Sequence, residues 1–257
     1  MESFKLIMER SRRDKGSRII LALDVTLDNP QSILKRSLEI LESVHEHICA
    51  VKINRHLTLP LGLHNGVQRV LKLAESLDLP KIMDCKINDI GYTNRVIAEE
   101  YFKAGFDAVT ANPFVGWEDG LKPVFEVSRD MNKGVLLLVY MSHKSAYEGY
   151  GQNVFDPETG KSKPQYIIFA EKALSWGADG VIVGATYPER IREVNKVLRG
   201  EVPIYSPGVG AQGGSAEKAI ISGAQYIIVG RSITKSKKPG LVARDIKNRV
   251  MKVTGNK

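Results

Sequence analysis

The 257-residue chain is 43% hydrophobic and 26% charged, which is enough apolar material to fill a core and excludes wholesale disorder. Its 37 lysines and arginines against 29 aspartates and glutamates give a formal charge of +8, which indicates an anionic partner: a nucleic acid, an acidic membrane or a phosphorylated metabolite. No apolar run reaches the ~20 residues that span a membrane, and the N-terminus has no signal-peptide core. Two cysteines are too few for a disulfide framework. We therefore expect a cytoplasmic protein.

Short runs rich in Val and Ile alternate with longer amphipathic stretches along the chain. A leading helix is predicted over Phe4–Lys15. The predicted strands are Ile19–Leu23, Ile48–Ile53, Lys81–Met83, Ala108–Thr110, Val135–Val139, Gly180–Val183, Pro203–Tyr205 and Tyr226–Val229. The predicted helices that follow them are Ser32–Val44, Leu63–Leu77, Thr93–Ala104, Trp117–Asp130, Ile167–Trp176, Pro188–Leu198, Ala216–Ser222 and Gly240–Val253.

The alternation predicts an α/β fold, because continuous apolar strands are typical of parallel sheets that are buried on both faces. Eight β-α units in about 250 residues are typical of a (β/α)8 TIM barrel. An open doubly wound sheet has the same local alternation and is the alternative. The eight units and the leading helix use nearly the whole chain, which predicts a single domain over residues 1–257.

Polar residues follow most of the predicted strands, at the C-terminal ends where a TIM barrel builds its active site. They are Asp24, Lys52, Asp84 with Lys86, Asn112, Ser142, the run Pro207–Gly214, and Gly230 with Arg231. Any one of them could be a cap or an ion pair at the barrel rim. Their recurrence at successive strand ends instead predicts a functional site.

The segment from Asp84 to Asp89 holds three charged residues, Asp84, Lys86 and Asp89, the last at or near the start of a helix. Asp84 and Lys86 are two residues apart on a strand and therefore share a face, whereas Cys85 points towards the helix layer. Asp84, Lys86 and Asp89, with Lys52, would form an alternating array in which each charge keeps its neighbour ionised. A structural salt bridge is the competing interpretation, and the placement at the end of the third strand favours a site.

The glycine-rich run Ser206–Gly214 matches the G-x-G-x-x-G pattern of dinucleotide sites. That interpretation fails on context, because the pattern belongs after the first strand and needs an acidic residue ~20 positions later. Loops after strands seven and eight of a barrel commonly bind one phosphate through backbone N–H groups. Arg231 would add a bidentate cation, and a simple flexible turn would not account for Gln212 and Arg231 at the same place.

Other chemistries have weaker support. The five histidines show no ligand spacing, so no metal is expected. Ser142 has no evident His and Asp partners, which favours a hydrogen-bonding role over a nucleophilic one. Residues 143–165 form either a lid or a surface excursion. Aromatic residues are not interleaved with basic ones, which argues against a nucleic-acid surface, although a non-catalytic barrel that binds phosphate or RNA remains an alternative.

Several segments together resemble the orotidine 5′-phosphate decarboxylase family, particularly its compact archaeal type. They are LALDV ending at Val25, AVKI ending at Ile53, DCKINDIGYT at Asp84–Thr93, MSH at Met141–His143, SPGVGAQGG at Ser206–Gly214 and VGRSI at Val229–Ile233. A sister group of Mg²⁺-dependent sugar-phosphate decarboxylases shares D-x-K-x-x-D and is the alternative. Its members typically end the second strand with Glu, where this chain has Lys52, and lack SPGVGAQGG.

The resemblance implies that orotidine 5′-phosphate loses CO₂ to give UMP in pyrimidine biosynthesis, without metal or cofactor. It implies that Lys86 donates a proton to C6 and that Asp84 lies against the substrate carboxylate. It also implies a homodimer with active sites at the interface, to which the other subunit contributes Asp89, Ile90 and Thr93. No nucleic-acid or membrane partner is expected.

The same resemblance implies a set of substrate contacts. Asp24 and Lys52 would bind the ribose hydroxyls, and Ser142 would bind the pyrimidine edge. The other implied contacts are Pro207, Gly210, Gln212, Gly230 and Arg231, with Gln212 bridging the phosphate and the base and Arg231 holding the phosphate.

Overall fold

Eight parallel strands close into a barrel in the structure, a computed structural model that describes residues 2–156 and 160–255. In chain order they are β1 (Ile19–Ala22), β2 (Ala50–Ile53), β3 (Lys81–Ile87), β4 (Ala108–Ala111), β5 (Gly134–Tyr140), β8 (Gly180–Val183), β9 (Ile204–Pro207) and β10 (Tyr226–Val229). Strand β10 pairs back onto β1, which completes the circle. The predicted (β/α)8 barrel is confirmed, since an open doubly wound sheet would leave two unpaired edge strands.

Helices surround the barrel and connect its strands. They are α1 (Phe4–Asp14), α2 (Pro30–Val44), α3 (Arg55–Leu61), α4 (Val67–Ser76), α5 (Gly91–Lys103), α6 (Lys122–Asp130), α7 (Ala146–Gly149), α8 (Gln165–Ser175), α9 (Pro188–Leu198), α10 (Ala216–Ile221), α11 (Arg231–Thr234) and α12 (Pro239–Thr254). The start of α2 follows from sequence, because the Asn29 side chain accepts a hydrogen bond from the Ser32 N–H and Pro30 occupies the first turn. No helix of the described residues is long and apolar enough to cross a bilayer.

Two helix predictions differ from the structure at their N-terminal ends. An additional helix, α3, precedes the helix predicted over Leu63–Leu77, and a π-helical turn joins α3 to α4. The helix predicted from Trp117 begins at Lys122, because Glu118 and Asp119 have non-helical dihedral angles and Asp119 has a φ of 49°. Hydrophobic spacing alone did not reveal either interruption.

The leading helix α1 closes the N-terminal end of the barrel. Its residues Phe4 and Met8 are buried against the barrel, and its Ser11 hydroxyl donates to the Cys49 carbonyl at 2.7 Å. Gly134 begins β5 directly under the Phe4 ring, and a Cβ there would lie only 2.4 Å from that ring. With this end closed, the C-terminal end of the barrel is left for a site.

The predicted excursion 143–165 contains α7 and an antiparallel hairpin of β6 (Asn153–Asp156) and β7 (Lys161–Pro164). Residues 157–159 of it lie outside the described residues. Its base is packed on the barrel through Tyr150, whose ring centroid lies 5.3 Å from that of Phe114 and 6.1 Å from that of Phe169. The segment is therefore anchored at its base and projects as a hairpin.

Candidate active site

A cavity of about 210 Å³ opens at the C-terminal ends of the barrel strands. The predicted site residues that line it are Asp24, Lys52, Asp84, Lys86, Ser142, Pro207, Gln212, Gly230 and Arg231. Six different strands or the turns after them supply these side chains. The barrel thus gathers residues that lie more than 200 positions apart in the sequence.

Asp84 lies between two lysines at the base of this cavity. Its Oδ1 accepts a hydrogen bond from Lys86 Nζ at 2.6 Å, and its Oδ2 accepts one from Lys52 Nζ. Burial would raise the pKa of Asp84, but the two ammonium groups outweigh it and hold that pKa below its usual value. Burial opposes the charge of Lys52, whereas Asp84 and Asp24 favour it, and the net effect raises its pKa. All of these shifts favour the charged forms at neutral pH.

Lys86, at one end of this array, has an unusual backbone conformation. Strand β3 pairs with β4 up to Met83 and again at Ile87, with a shift of register between them. Lys86 lies within this irregularity with a φ of 53°, in the left-handed region that residues with a Cβ seldom adopt. Such conformations are concentrated at functional sites.

Asp24 has a carboxylate oxygen that lacks a partner. Its Oδ1 is buried and accepts no hydrogen bond from any described residue. A buried acceptor without a donor is costly, and the hydroxyl groups of a sugar are suitable donors. The side chain also lies close to Gly230, where a Cβ would come within 3.5 Å of Oδ2. Asp24 is therefore available to a polyhydroxylated ligand.

Ser142 is held closely by two glycines. A Cβ on Gly208, which has a φ of 97°, would lie 2.8 Å from the Ser142 Cβ, and one on Gly184 would lie 2.7 Å from its Cα. Thr186 Oγ1 donates to the Ser142 carbonyl at 3.0 Å. The wall beside Ser142 is apolar and includes Leu138, Met141, Ile182 and Ile228. A planar ring with a polar edge fits such a surface.

The glycine-rich loop and Arg231 form the opposite end of the cavity. Gly210 does not line it, and its N–H donates to the Gly214 carbonyl at 2.9 Å within the loop. Arg231 is exposed and forms no ion pair with the described residues. It begins the four-residue helix α11, in which the Ile233 and Thr234 N–H groups donate to the Gly230 carbonyl. An unpaired guanidinium at this end of the cavity is suited to an anion.

Besides Gly210, three more predicted site residues lie outside this cavity, Asp89, Ile90 and Thr93. Asp89 is exposed, and its Oδ1 accepts a hydrogen bond from the Ile90 N–H at 2.7 Å. Ile90 is 68% exposed, and Thr93 lies in the first turn of α5. Asn112, another strand-end residue, caps the turn that follows β4 by accepting from the Phe114 N–H.

Thr110 also lines the cavity, although the sequence did not predict it as a site residue. It is 1% exposed and lies within β4, one residue before the strand end that the barrel rule selects. The available signal was its hydroxyl group in the otherwise apolar strand AVTA.

The described residues contain no group of three or more His, Cys, Asp or Glu side chains that could hold a metal ion. Cys49 and Cys85 are free and buried, and burial raises the pKa of each thiol to about 12. At neutral pH both therefore remain uncharged and packed as small apolar side chains.

Comparison with known proteins gives consistent matches. The sequence model of the orotidine 5′-phosphate decarboxylase/HUMPS family matches residues 17–246. The orotidine 5′-phosphate decarboxylase of Methanosarcina mazei is 37% identical over 91% of this chain and 94% of its own. That of Thermococcus kodakarensis is 38% identical over 92% of this chain and 98% of its own. The crystal structure of the Methanocaldococcus jannaschii orotidine 5′-monophosphate decarboxylase with its inhibitor BMP superposes with a TM-score of 0.77 and 30% identity, over 91% of this chain and 98% of that one.

Proposed function

We propose that this chain, which belongs to the orotidine 5′-phosphate decarboxylase/HUMPS family, converts orotidine 5′-phosphate to UMP and CO₂. The observation that carries the proposal is the array of Lys52, Asp84 and Lys86 at the base of the cavity, with the unpaired Arg231 at its other end. The substrate carries a carboxylate and a phosphate, and these two regions match its two charged ends.

Lys86 is the proposed proton donor. When the bond between C6 and the carboxylate breaks, CO₂ leaves and the electron pair stays on C6, where the pyrimidine ring offers it no electron sink. A fixed ammonium group stabilises the developing negative charge and then gives its proton to C6. Solvent returns a proton to Lys86 after UMP forms.

Asp84 and the phosphate group contribute at different distances from the bond that breaks. Asp84 would lie beside the substrate carboxylate, where repulsion between the two anions disfavours the bound substrate relative to the transition state. The phosphate would lie against Arg231 and Gly230, with Gln212 between the phosphate and the base. The binding energy of the phosphate group then serves to place the pyrimidine ring for reaction, and not only to increase the affinity for the substrate.

The remaining contacts follow from the unpartnered atoms of the site. The free Oδ1 of Asp24 would accept hydrogen bonds from the ribose hydroxyls, and Lys52 would donate to them. Ser142 would bind the pyrimidine edge, with Pro207 in the wall beside it. Gly210 would support the phosphate loop through its turn, because its amide is already engaged.

The reaction is expected to need no metal, since lysine supplies the positive charge. Purified protein in plain buffer should therefore consume orotidine 5′-phosphate at the same rate with and without EDTA. The rate is measured as the loss of the substrate's ultraviolet absorbance. A control with added Mg²⁺ should also leave the rate unchanged. Loss of activity in EDTA that Mg²⁺ restores would instead favour the sugar-phosphate decarboxylases, and no turnover at all would favour a non-catalytic phosphate-binding or RNA-binding barrel.

A second copy of the chain is proposed to complete each site. Asp89, Ile90 and Thr93 lie outside the cavity of their own subunit, on the turn after β3 and the start of α5. Large apolar side chains are exposed on the same side of the barrel, with Leu59 78%, Ile90 68% and Tyr92 79% exposed. Exposed apolar patches of this kind favour a protein partner, and a two-fold dimer would bring each Asp89 to the other subunit's Lys86.

Mixing two inactive variants tests this dimer. Lys86→Ala and Asp89→Asn should each be nearly inactive alone. After exchange of subunits at equal amounts, about a quarter of the wild-type activity should appear, because half of the dimers are mixed and each holds one intact site. Activity that stays absent, while sedimentation shows that the subunits have exchanged, would contradict a shared site.

The prediction of a cytoplasmic enzyme without nucleic-acid or membrane partners stays a prediction, as does the assignment of residues 1–257 to one domain.

A further inference from the structure

We infer that Thr110 and Arg55 are positioning residues, which together hold the peptide unit between Cys85 and Lys86 and thereby place the Lys86 ammonium group. The inference rests on the proposed function, in which Lys86 is the proton donor. Neither Thr110 nor Arg55 supplies a reacting group, and both act through the backbone of Lys86.

This peptide unit needs support because it has left the barrel's ladder of hydrogen bonds. Between the pairs Met83 with Val109 and Ile87 with Ala111, β3 advances four residues while β4 advances two. The extra residues in β3 cannot keep the regular pairing. Lys86 also has a φ of 53°, which persists in a residue with a Cβ only where its surroundings impose it.

Thr110 binds the N–H end of the peptide. Its Oγ1 accepts a hydrogen bond from the Lys86 N–H at 2.9 Å and donates one to Asp84 Oδ1 at 3.1 Å. The same Oδ1 accepts the hydrogen bond from Lys86 Nζ at 2.6 Å. The buried hydroxyl therefore ties the backbone of Lys86 to the carboxylate oxygen that receives its side chain.

Arg55 binds the C=O end of the same peptide. Its Nη2 donates to the Cys85 carbonyl at 2.9 Å. Arg55 is the first residue of α3, and the preceding strand β2 supplies Lys52, which donates to the other oxygen of Asp84. The guanidinium carries N–H donors and no acceptor, so it can only donate to the peptide.

With both ends held, the peptide cannot rotate to a more common backbone conformation. If either side chain is lost, rotation would shift Lys86 Nζ relative to C6 of the substrate. A displacement of about 1 Å at a reacting group can cost roughly 100-fold in rate. Substrate affinity would change much less, because the residues proposed to bind the ribose and the phosphate are untouched.

The test compares kcat and KM for two pairs of variants. Thr110→Val, which keeps the shape but removes the hydroxyl, should lower kcat about 10- to 100-fold with KM changed less than about 3-fold. Thr110→Ser should recover most of kcat, because it restores the hydroxyl. Arg55→Met should lower kcat about 3- to 10-fold, and Arg55→Lys should fall closer to wild type.

Matched controls exist at the opposite end of the barrel. Ser17 Oγ also accepts a backbone N–H, that of Ile19 at 3.1 Å, and donates to the His47 carbonyl at 2.7 Å. Arg18 Nη1 donates to the Gln225 carbonyl at 3.3 Å. Ser17→Ala and Arg18→Met should lower the melting temperature while leaving kcat at the wild-type value.

Any of three results would overturn the inference. The first is a wild-type kcat in both Thr110→Val and Arg55→Met, and the second is a loss in Thr110→Val that Thr110→Ser does not recover. The third is a crystal structure of Thr110→Val in which Lys86 keeps its φ and its contact with Asp84, whatever the activity. Failure of the wild-type protein to decarboxylate orotidine 5′-phosphate would contradict the proposed function instead, so the two failures are distinguishable.

Discussion

Replacing Lys86 by alanine is expected to lower kcat by about 10⁴-fold or more, because the side chain is both the electrostatic partner of the C6 carbanion and its proton donor. Asp84 would still accept a hydrogen bond from Lys52, so the carboxylate stays ionised and paired in the variant. Binding of UMP, measured by calorimetry, should change little, since the proposed ribose and phosphate contacts remain. Steady-state kinetics beside this binding measurement separates catalysis from affinity.

Lys81→Ala is the matched control for this prediction. Lys81 begins the same strand, β3, at the opposite end of the barrel, and its Nζ lies 3.4 Å from Asp107 Oδ2. Its loss removes one lysine and one ion pair without touching the cavity, and kcat should stay at the wild-type value. Substantial decarboxylation by Lys86→Ala would exclude Lys86 as the proton donor.

Replacing Arg231 by alanine is expected to cost about 2–4 kcal/mol in transition-state stabilisation, because a charged group that holds the phosphate is removed. This corresponds to a fall in kcat/KM of roughly 30- to 1,000-fold. The loss should be confined to the phosphorylated substrate. With orotidine, which lacks the phosphate, wild type and variant should have equal, low kcat/KM.

The change of net charge is controlled by Arg249→Ala. Arg249 lies on α12, where its Nε is 3.3 Å from Glu217 Oε1, and it is outside the cavity. The variant loses the same single positive charge, so any general loss of attraction for an anionic substrate appears in both variants. Equal kinetics in Arg231→Ala and Arg249→Ala would remove Arg231 from the phosphate site.

The barrel could be predicted from the sequence because six of its eight strands are buried at every residue and the other two at most of theirs, so that they appear as largely apolar runs. The third strand was predicted to end at Met83, because Asp84 and Lys86 interrupt the apolar pattern. In the structure it continues to Ile87. Helix α3 was missed because Pro60 lies within it, although Asn54 caps it by accepting from the His56 N–H.

The candidate site was predictable where it depends on position along a strand. Asp24 and Lys52 follow from the rule that barrel sites lie at the C-terminal ends of strands. Thr110 and Arg55 could not be found in this way, because their contacts depend on the register shift of β3 and on the left-handed backbone of Lys86. That local geometry arises from tertiary packing, which a pattern of residue types does not specify.

In the proposed reaction the bond between C6 and the carboxylate breaks, and C6 is then protonated. The most direct measurement incubates purified protein with orotidine 5′-phosphate, ¹³C-labelled in the carboxylate, in D₂O. Mass spectrometry and NMR should find labelled CO₂ and UMP in equal amounts, with one deuterium on C6 of the UMP, because the Lys86 ammonium exchanges with solvent. Unchanged orotidine 5′-phosphate, or UMP without deuterium at C6, would contradict the account.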